Sequence, residues 1–196
     1  VTIDVTFVPE EWPFVDVAES DWFFQAVKYV FERGIMMGTS DTTFEPQSSV
    51  TRGQVVQMLY NLEGQPAVTG EDGFTDVQSK DWWYNAVVWA SQNEVVSGYG
   101  DGTFQPKRNI SRQEFAQMLF NYAKFKGYDL TATGDLTKFP DGGDVAGWAE
   151  TAMQWANGNG LINGHADTGK LDPLGTTVRA QAASILTKFH QTFVNP

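Results

Sequence analysis

Three arginines recur at corresponding places in the sequence and are the residues best suited to bind an anion. Arg52 and Arg112 are 60 residues apart, and Arg179 holds the same place in a looser third copy. Each stands near the start of a predicted helix, where a cation is mildly unfavourable. A guanidinium group offers a planar pair of donors that matches a carboxylate. The recurrence therefore indicates either anion binding or solvated residues that pair with nearby carboxylates.

The surroundings of these arginines repeat as well. The first copy contains Phe14, Asp16, Val17, Asp21, Trp22, Gly38, Asp41, Phe44 and Pro46, and the second contains Phe74, Asp76, Val77, Asp81, Trp82, Gly98, Asp101, Phe104 and Pro106. The third keeps the order with Phe139, Asp141, Trp148, Gly164, Asp167 and Pro173. A repeat of this length indicates a helical array in which one unit cannot bury its own apolar face. We place the repeats at 14–66, 74–128 and 139–194, with 1–13 as a linker or the end of an upstream domain.

Each repeat is predicted to contain two helices around a long loop, which gives an all-α fold with long loops. The first helix is expected to begin at Asp21, at Asp81 or near Gly147, with Asp as the N-cap. The tryptophans that follow, Trp22, Trp82 and Trp148, are expected to anchor the core. The second helix is expected to begin at Thr51 or Ser111, because both open a capping box. We expect the three helix-loop-helix units to form a pseudo-threefold arrangement around a central helical bundle.

Composition excludes several classes of function. The net charge of −11 opposes binding to nucleic acid and to anionic membranes. The absence of cysteine excludes disulfides and zinc–thiolate sites. No apolar stretch approaches the roughly 18 residues of a membrane helix, so membrane insertion is not expected. We expect no cofactor, no metal and no catalytic residue; His165 and His190 are the only histidines.

The repeat resembles the S-layer homology domain over nearly the whole chain from Phe14. The motifs that carry the resemblance are the Phe-x-Asp-Val opening, the Trp-led helix, the loop from Gly98 to Pro106 and the helix start Ser111-Arg112-Gln113-Glu114. In the third copy His165 replaces Tyr99, Leu171 replaces Phe104, and Val178 precedes the arginine, so the capping box is expected to be lost or shifted there.

The resemblance implies a non-catalytic module that anchors a larger extracellular protein to the bacterial cell wall. Its partner would be a secondary cell-wall polysaccharide, pyruvylated and containing N-acetylmannosamine, bound in grooves between repeats. The three arginines would be the main polar contacts, helped by free backbone N–H groups at the helix starts. Replacement of Arg52 or of Arg112 by alanine is expected to weaken binding and leave the fold intact, and replacement of Arg179 is expected to weaken binding less. The ligand-binding candidates are Arg52, Arg112, Arg179, Gln54, Glu114, Gln181, Gly38, Asp41, Gly98, Tyr99, Asp101, Gly164, His165, Asp167, Tyr29, Trp89 and Trp155.

Other interpretations stay open. Tyr29, Trp89 and Trp155 share one repeated position and are either interface packing or sugar platforms. The loop aspartates either close turns or contact sugar hydroxyls. As a whole, the chain could instead be a protein–protein interaction module of the cell surface. A glycan-cleaving enzyme is disfavoured, because the repeated acidic positions are better explained by caps and turns than by a catalytic pair.

Overall fold

The computed structural model describes residues 12–71 and 73–196, which form six α-helices, short 3₁₀ and π segments and three isolated β-bridges. Residues 1–8, whose sequence alternates between polar and apolar residues as in a β-strand, lie outside the described residues. Across those two ranges, no helix is both long and apolar enough to cross a membrane. The helices are α1 Phe24–Glu32, α2 Arg52–Leu62, α3 Tyr84–Gln92, α4 Arg112–Lys126, α5 Glu150–Gly158 and α6 Arg179–Phe189. The all-α prediction is confirmed.

The chain divides into two compact units that do not follow the repeat boundaries. One unit contains residues 1–49 and 178–196, and the other contains residues 50–177. In the first unit α1 packs against α6; in the second, α2 packs against α3 and α4 against α5. The second helix of one repeat therefore packs against the first helix of another. Helices α2 and α4 also touch, while the pseudo-threefold arrangement of all three second helices stays a prediction.

The first helices begin about three residues later than predicted. Residues Asp21 and Asp81 are not N-caps, because their carboxylates accept hydrogen bonds from the backbone N–H groups of Ala18 and Gln78 and close a preceding turn. Helix α1 ends at Glu32 with Arg33 as its C-cap, and the next residue is Gly34, whose φ of 65° suits the residue after a helix.

The expectation that Trp22, Trp82 and Trp148 anchor the core is wrong. Their exposed fractions are 68%, 58% and 58%. The extra turn before each first helix changes which residue faces inward, so that the following residue is buried instead. These buried residues are Phe23, Trp83 and Ala149.

The second helices begin where the capping signals predict. Thr51 and Ser111 are the N-caps of α2 and α4, and both capping boxes are complete. At α6 the Oε1 atom of Gln181 still accepts from the backbone N–H of Val178. Since valine has no polar side-chain atom, only that half of the box remains, as predicted for the altered third motif.

Candidate functional site

The arginine at the start of each second helix is buried and fixed to a loop of another repeat. Arg52 is 4% exposed. Its Nε donates to the carbonyl oxygen of Phe104 at 2.9 Å, and its Nη2 donates to that of Ser97 at 3.2 Å. The Arg52 side chain therefore ties α2 to the loop of the second repeat.

The other two arginines make the same pair of contacts. Arg112 and Arg179 are each 5% exposed, so the solvated-residue interpretation is wrong. Arg112 donates to the carbonyl oxygens of Leu171 and Asn163. Arg179 donates to the carbonyl oxygens of Phe44 and Met37. Because replacement by alanine would leave buried carbonyls unpaired, we no longer expect these variants to keep full stability.

The backbone N–H groups at the helix starts are occupied too. The N–H groups of Arg52 and Gly53 donate to the carbonyl oxygens of Arg108 and Pro106, and that of Gln54 donates to Thr51 Oγ1. The first two N–H groups of α4 and of α6 likewise donate to loop carbonyls. The expectation that free N–H groups at these positions bind a ligand is wrong, since loop carbonyls satisfy them first.

An aspartate of the Phe-x-Asp motif holds each of these loops. The two Oδ atoms of Asp76 accept from the backbone N–H groups of Phe104 and Gln105, both at 2.8 Å. Asp16 and Asp141 make the equivalent pairs of bonds in their own repeats. Gln105 adopts a φ of 57°, which is uncommon for a residue with a side chain. The sequence marked these aspartates only as recurring, because bonds between residues 28 to 31 positions apart leave no local pattern.

The repeated glycine of each loop stands against the phenylalanine of the same motif. A Cβ atom at Gly98 would overlap the ring of Phe74. Gly38 and Gly164 stand in the same way against Phe14 and Phe139. These glycines are therefore explained by close approach of a ring to the backbone, whether or not a sugar also lies near them.

One groove in the unit of residues 50–177 gathers several predicted site residues. Its volume is about 980 Å³. Of the candidates, it brings together Arg52, Gly98, Tyr99 and Glu114, and the exposed indole of Trp148 also lines it. The groove thus combines a charged cluster with an aromatic surface, which is the combination that an anionic sugar requires.

The charged cluster of this groove is centred on Glu114. The Oε1 atom of Glu114 accepts from Arg52 Nη1 at 3.2 Å, from Tyr99 Oη at 2.8 Å and from Arg108 Nη2. Burial raises the pKa of Glu114, but the hydrogen bonds from Ser111 and Tyr99 and the charge of Arg52 outweigh it and lower that pKa. Burial, followed by the bond to Glu114, raises the pKa of Tyr99. Two guanidinium groups and one carboxylate leave this cluster with one net positive charge, and the exposed Glu94 on the groove wall offsets it.

Sequence reasoning missed one residue that lines this groove, Trp148, and one member of its charged cluster, Arg108. Arg108 was not singled out because the corresponding positions hold Ser48 and Gly175, so the repeat gave no signal. Trp148 was assigned to the core, although its recurrence as Trp22 and Trp82 could equally have indicated an exposed aromatic position.

The remaining candidates lie elsewhere. Asp101 closes its own turn, since its Oδ1 accepts from the N–H and the hydroxyl of Thr103. Asp41 and Asp167 are exposed, and Ser40 closes the turn around Asp41. His165 Nε2 lies 3.6 Å from Asp172 Oδ2. The described residues contain no group of three or more acidic or histidine side chains that could hold a metal ion.

The shared aromatic position favours packing over sugar binding. Trp89 and Trp155 are 4% and 1% exposed. The ring of Trp89 packs on Tyr60 and Tyr122, and that of Trp155 packs on Phe120. Tyr29 is half-buried beside His190. The sugar-platform alternative for the two tryptophans is not favoured, because both indoles are buried.

These features define a class of protein built from helical repeats, in which each loop is held by a motif aspartate and by a buried arginine from another repeat. The S-layer homology domain family matches residues 13–56, 73–116 and 138–183. The chain belongs to this family, as its motifs predicted, and it carries three tandem copies of the domain.

Curated relatives share the region and extend far beyond it. The chain is 31% identical to an endoglucanase of Bacillus sp. (strain KSM-635) over 89% of its length and 18% of the relative. It is 27% identical to the S-layer protein sap of Bacillus anthracis over 92% of its length and 21% of the relative. It is 24% identical to a cellulosome-anchoring protein of Acetivibrio thermocellus over 74% of its length and 33% of the relative. The chain is therefore an anchoring module of the cell surface, located outside the cell at the wall.

Proposed function

We propose that the module binds a secondary cell-wall polysaccharide without chemical reaction, and that it thereby holds a larger protein of the same chain on peptidoglycan-linked polymer. The expected polymer is pyruvylated and contains N-acetylmannosamine. The observation that carries the proposal is the groove around Glu114. There Arg52 and Arg108 bring two guanidinium groups together in a chain of net charge −11, and Trp148 supplies an exposed ring.

The chemistry of the groove fits a pyruvate ketal on a sugar. The ketal carries a carboxylate, which a guanidinium group binds through two parallel hydrogen bonds. Arg108 suits this contact best, because 43% of its side chain is exposed while that of Arg52 is 5% exposed. The apolar face of the sugar would cover Trp148. In this proposal Arg52 is a positioning residue that holds Glu114 and the loop, and Arg108 is the direct contact.

A non-catalytic role agrees with the acidic groups of the groove. Glu114 is engaged by Arg52, Tyr99 and Ser111, and its lowered pKa makes it a poor proton donor at neutral pH. The endoglucanase name belongs to a relative of which this chain spans 18%. In a protein of that kind, we propose that a separate domain attached to the anchoring module carries out the catalysis.

The test is calorimetry with purified polymer before and after chemical removal of the pyruvyl group. Arg108→Gln should weaken binding at this groove by about tenfold, since a charged hydrogen bond is worth about 1.5 kcal/mol or more. Trp148→Ala should also weaken binding, and both variants should unfold as the parent does. Lys124→Gln, which removes an exposed charge from α4, is the control.

Removal of the pyruvyl group should abolish the difference between the parent and Arg108→Gln. An equal loss of affinity for both polymers in Arg108→Gln would show that Arg108 does not bind the carboxylate. Retention on wall stripped of polymer would favour the alternative of a protein–protein interaction module.

A further inference from the structure

A second pocket lies in the same unit and belongs to the second repeat alone. Its volume is about 430 Å³. We call it the Trp83 pocket; it is lined by Asp76, Gln78, Lys80, Asp81, Trp83, Gln105, Pro106, Lys107 and Arg108. None of the binding candidates taken from the repeat motifs lies in this set.

The indole of Trp83 carries a donor without an acceptor. Trp83 is 8% exposed, and its Nε1 atom is buried with no hydrogen-bond partner among the described residues. Buried donors are paired in the great majority of cases, because an unmade bond leaves the desolvation of the N–H uncompensated. An oxygen acceptor in the pocket would satisfy the Nε1–H group of Trp83 once a side chain that covers this atom moves aside.

The charges around the pocket favour an anionic acceptor. Lys80, Lys107 and Arg108 are exposed cations that line it, and Lys107 Nζ lies 6.0 Å from the centroid of the Trp83 ring. The two acidic side chains are already engaged by backbone N–H groups, Asp76 by two and Asp81 by one. Lys80 and Lys107 balance the two carboxylates, and Arg108, which is shared with Glu114, adds a third cation.

These residues are particular to the second repeat. The positions of Trp83, Lys107 and Lys80 correspond to Phe23, Gln47 and Ser20 in the first repeat and to Ala149, Leu174 and Ala146 in the third. Packing alone does not require an indole, since phenylalanine fills the equivalent buried place in the first repeat. The joint appearance of an indole and two lysines indicates a binding function beyond the shared motifs.

The neighbouring helix has a small residue where the indole lies. A Cβ atom at Gly53 would lie 3.4 Å from the Trp83 ring. The corresponding residues of the other second helices are Gln113 and Ala180. The ring of Trp83 therefore lies in ordinary contact distance of the start of α2, and the closest neighbour of a Cβ atom there would be the carbonyl oxygen of Pro106 at 3.0 Å.

Arg108 connects this pocket with the groove around Glu114. It lines the Trp83 pocket, and its guanidinium group contacts Glu114 and Tyr99 in the groove. We propose that the Trp83 pocket binds a second anionic group, a carboxylate or phosphate on a neighbouring sugar, so that the polymer contacts the second repeat at two successive points. This inference rests on the proposed function, because it assumes that the same glycan occupies the groove.

The test follows the indole N–H resonances of the ¹⁵N-labelled chain by nuclear magnetic resonance. Trp83→Phe assigns the Trp83 signal and Trp148→Ala assigns that of Trp148. The probes are galacturonic acid, inorganic phosphate and neutral galactose. We expect a saturable shift of the Trp83 signal with galacturonic acid or with phosphate, and none with galactose. The more effective anion identifies the group as a carboxylate or a phosphate.

The double variant Lys80→Gln, Lys107→Gln should weaken this response by about three- to tenfold, as expected for two exposed charges. Lys124→Gln, Lys188→Gln removes the same charge from exposed positions outside the pocket and should leave the response unchanged. Absence of a saturable Trp83 shift with either anion, or equal shifts in both double variants, overturns the proposal.

Pyruvylated polymer distinguishes the two proposals. If the Trp148 signal responds to polymer and that of Trp83 does not, the pocket proposal alone fails. If Trp83 responds to the anions while polymer does not bind the chain, the proposed function fails and the pocket remains an anion site.

Discussion

Arg52 Nη1 and Glu114 Oε1 lie 3.2 Å apart, and both residues are buried, with exposed fractions of 4% and 8%. Glu114 is the third residue of α4, and its other oxygen, Oε2, accepts from the N-cap N–H of Ser111. The same carboxylate thus completes a capping box and pairs with the arginine of another repeat. The corresponding residues of α2 and α6 are the neutral Gln54 and Gln181, so this charge distinguishes the second repeat.

Replacing Glu114 by glutamine should separate the structural and electrostatic roles of this carboxylate. Since α2 caps with glutamine, the box should persist, but the ion pairs with Arg52 and Arg108 are lost. We expect the free energy of unfolding to fall by about 1–3 kcal/mol. The net charge of the cluster becomes more positive by one, so affinity for a carboxylated sugar should rise and depend more strongly on salt.

Glu94→Gln is the matched control, since Glu94 lines the same groove and is exposed. It should raise affinity slightly through the same charge change and leave the urea midpoint unaltered. Equal unfolding curves for both variants would show that the Arg52–Glu114 pair contributes nothing to stability.

The motif aspartate should matter more to stability than the loop aspartate beside it. In Asp76→Asn only one side-chain oxygen remains to accept the N–H groups of Phe104 and Gln105, and the amide group would face a donor. We expect a loss of about 1.5–3 kcal/mol, the range for hydrogen bonds to charged groups. Asp101→Asn, in an exposed turn, should leave the free energy of unfolding nearly unchanged. Chemical denaturation of both variants decides this, and an equal cost would contradict the proposed clamp.

Sequence reasoning succeeded where the signal is local or repeated. The capping boxes at Thr51 and Ser111 fixed the starts of α2 and α4, because a cap joins residues three positions apart. The family followed from several motifs in a constant order. The starts of α1 and α3 were predicted about three residues too early. An aspartate that closes a turn, as Asp21 does, looks the same in the sequence as an aspartate that caps a helix.

The candidate site was predicted less completely than the fold. Arg52, Gly98, Tyr99 and Glu114 do line one groove, yet the arginine was expected to face a ligand and is instead bound to carbonyls of a distant loop. Such bonds span 45 and 52 residues and cannot be read from spacing. Arg108 and Trp83 were missed for a related reason. Each occurs in only one repeat, so a search for residues that recur in all three repeats does not detect it.

The glycine that faces the motif phenylalanine should not tolerate a methyl group. Gly98→Ala would press a Cβ atom into the ring of Phe74. We expect a loss of about 1–3 kcal/mol, as for overpacking elsewhere. Gly100→Ala, two residues away in the same loop, meets no atom within 4 Å and should be nearly neutral. The double variant Gly98→Ala, Phe74→Leu should recover part of the loss. Equal unfolding midpoints for Gly98→Ala and Gly100→Ala would contradict the steric explanation.

The contact between α1 and the end of α6 should make stability depend on pH. Tyr29 Oη lies 3.0 Å from His190 Nδ1, and burial, followed by the charge of Arg33, lowers the pKa of His190 below its ordinary 6.5. The unfolded chain therefore takes up the proton more readily than the folded chain, so this contribution is fully present above about pH 6.5 and is lost as the pH falls towards the lowered pKa. The urea midpoint should decrease as the pH falls from 7.5 to 5.5. Glu114 takes up its proton below this range, because its ordinary pKa is 4.5 and the fold lowers it further. His190→Gln should remove that slope, and a variant that retains it in full would show that another group is responsible.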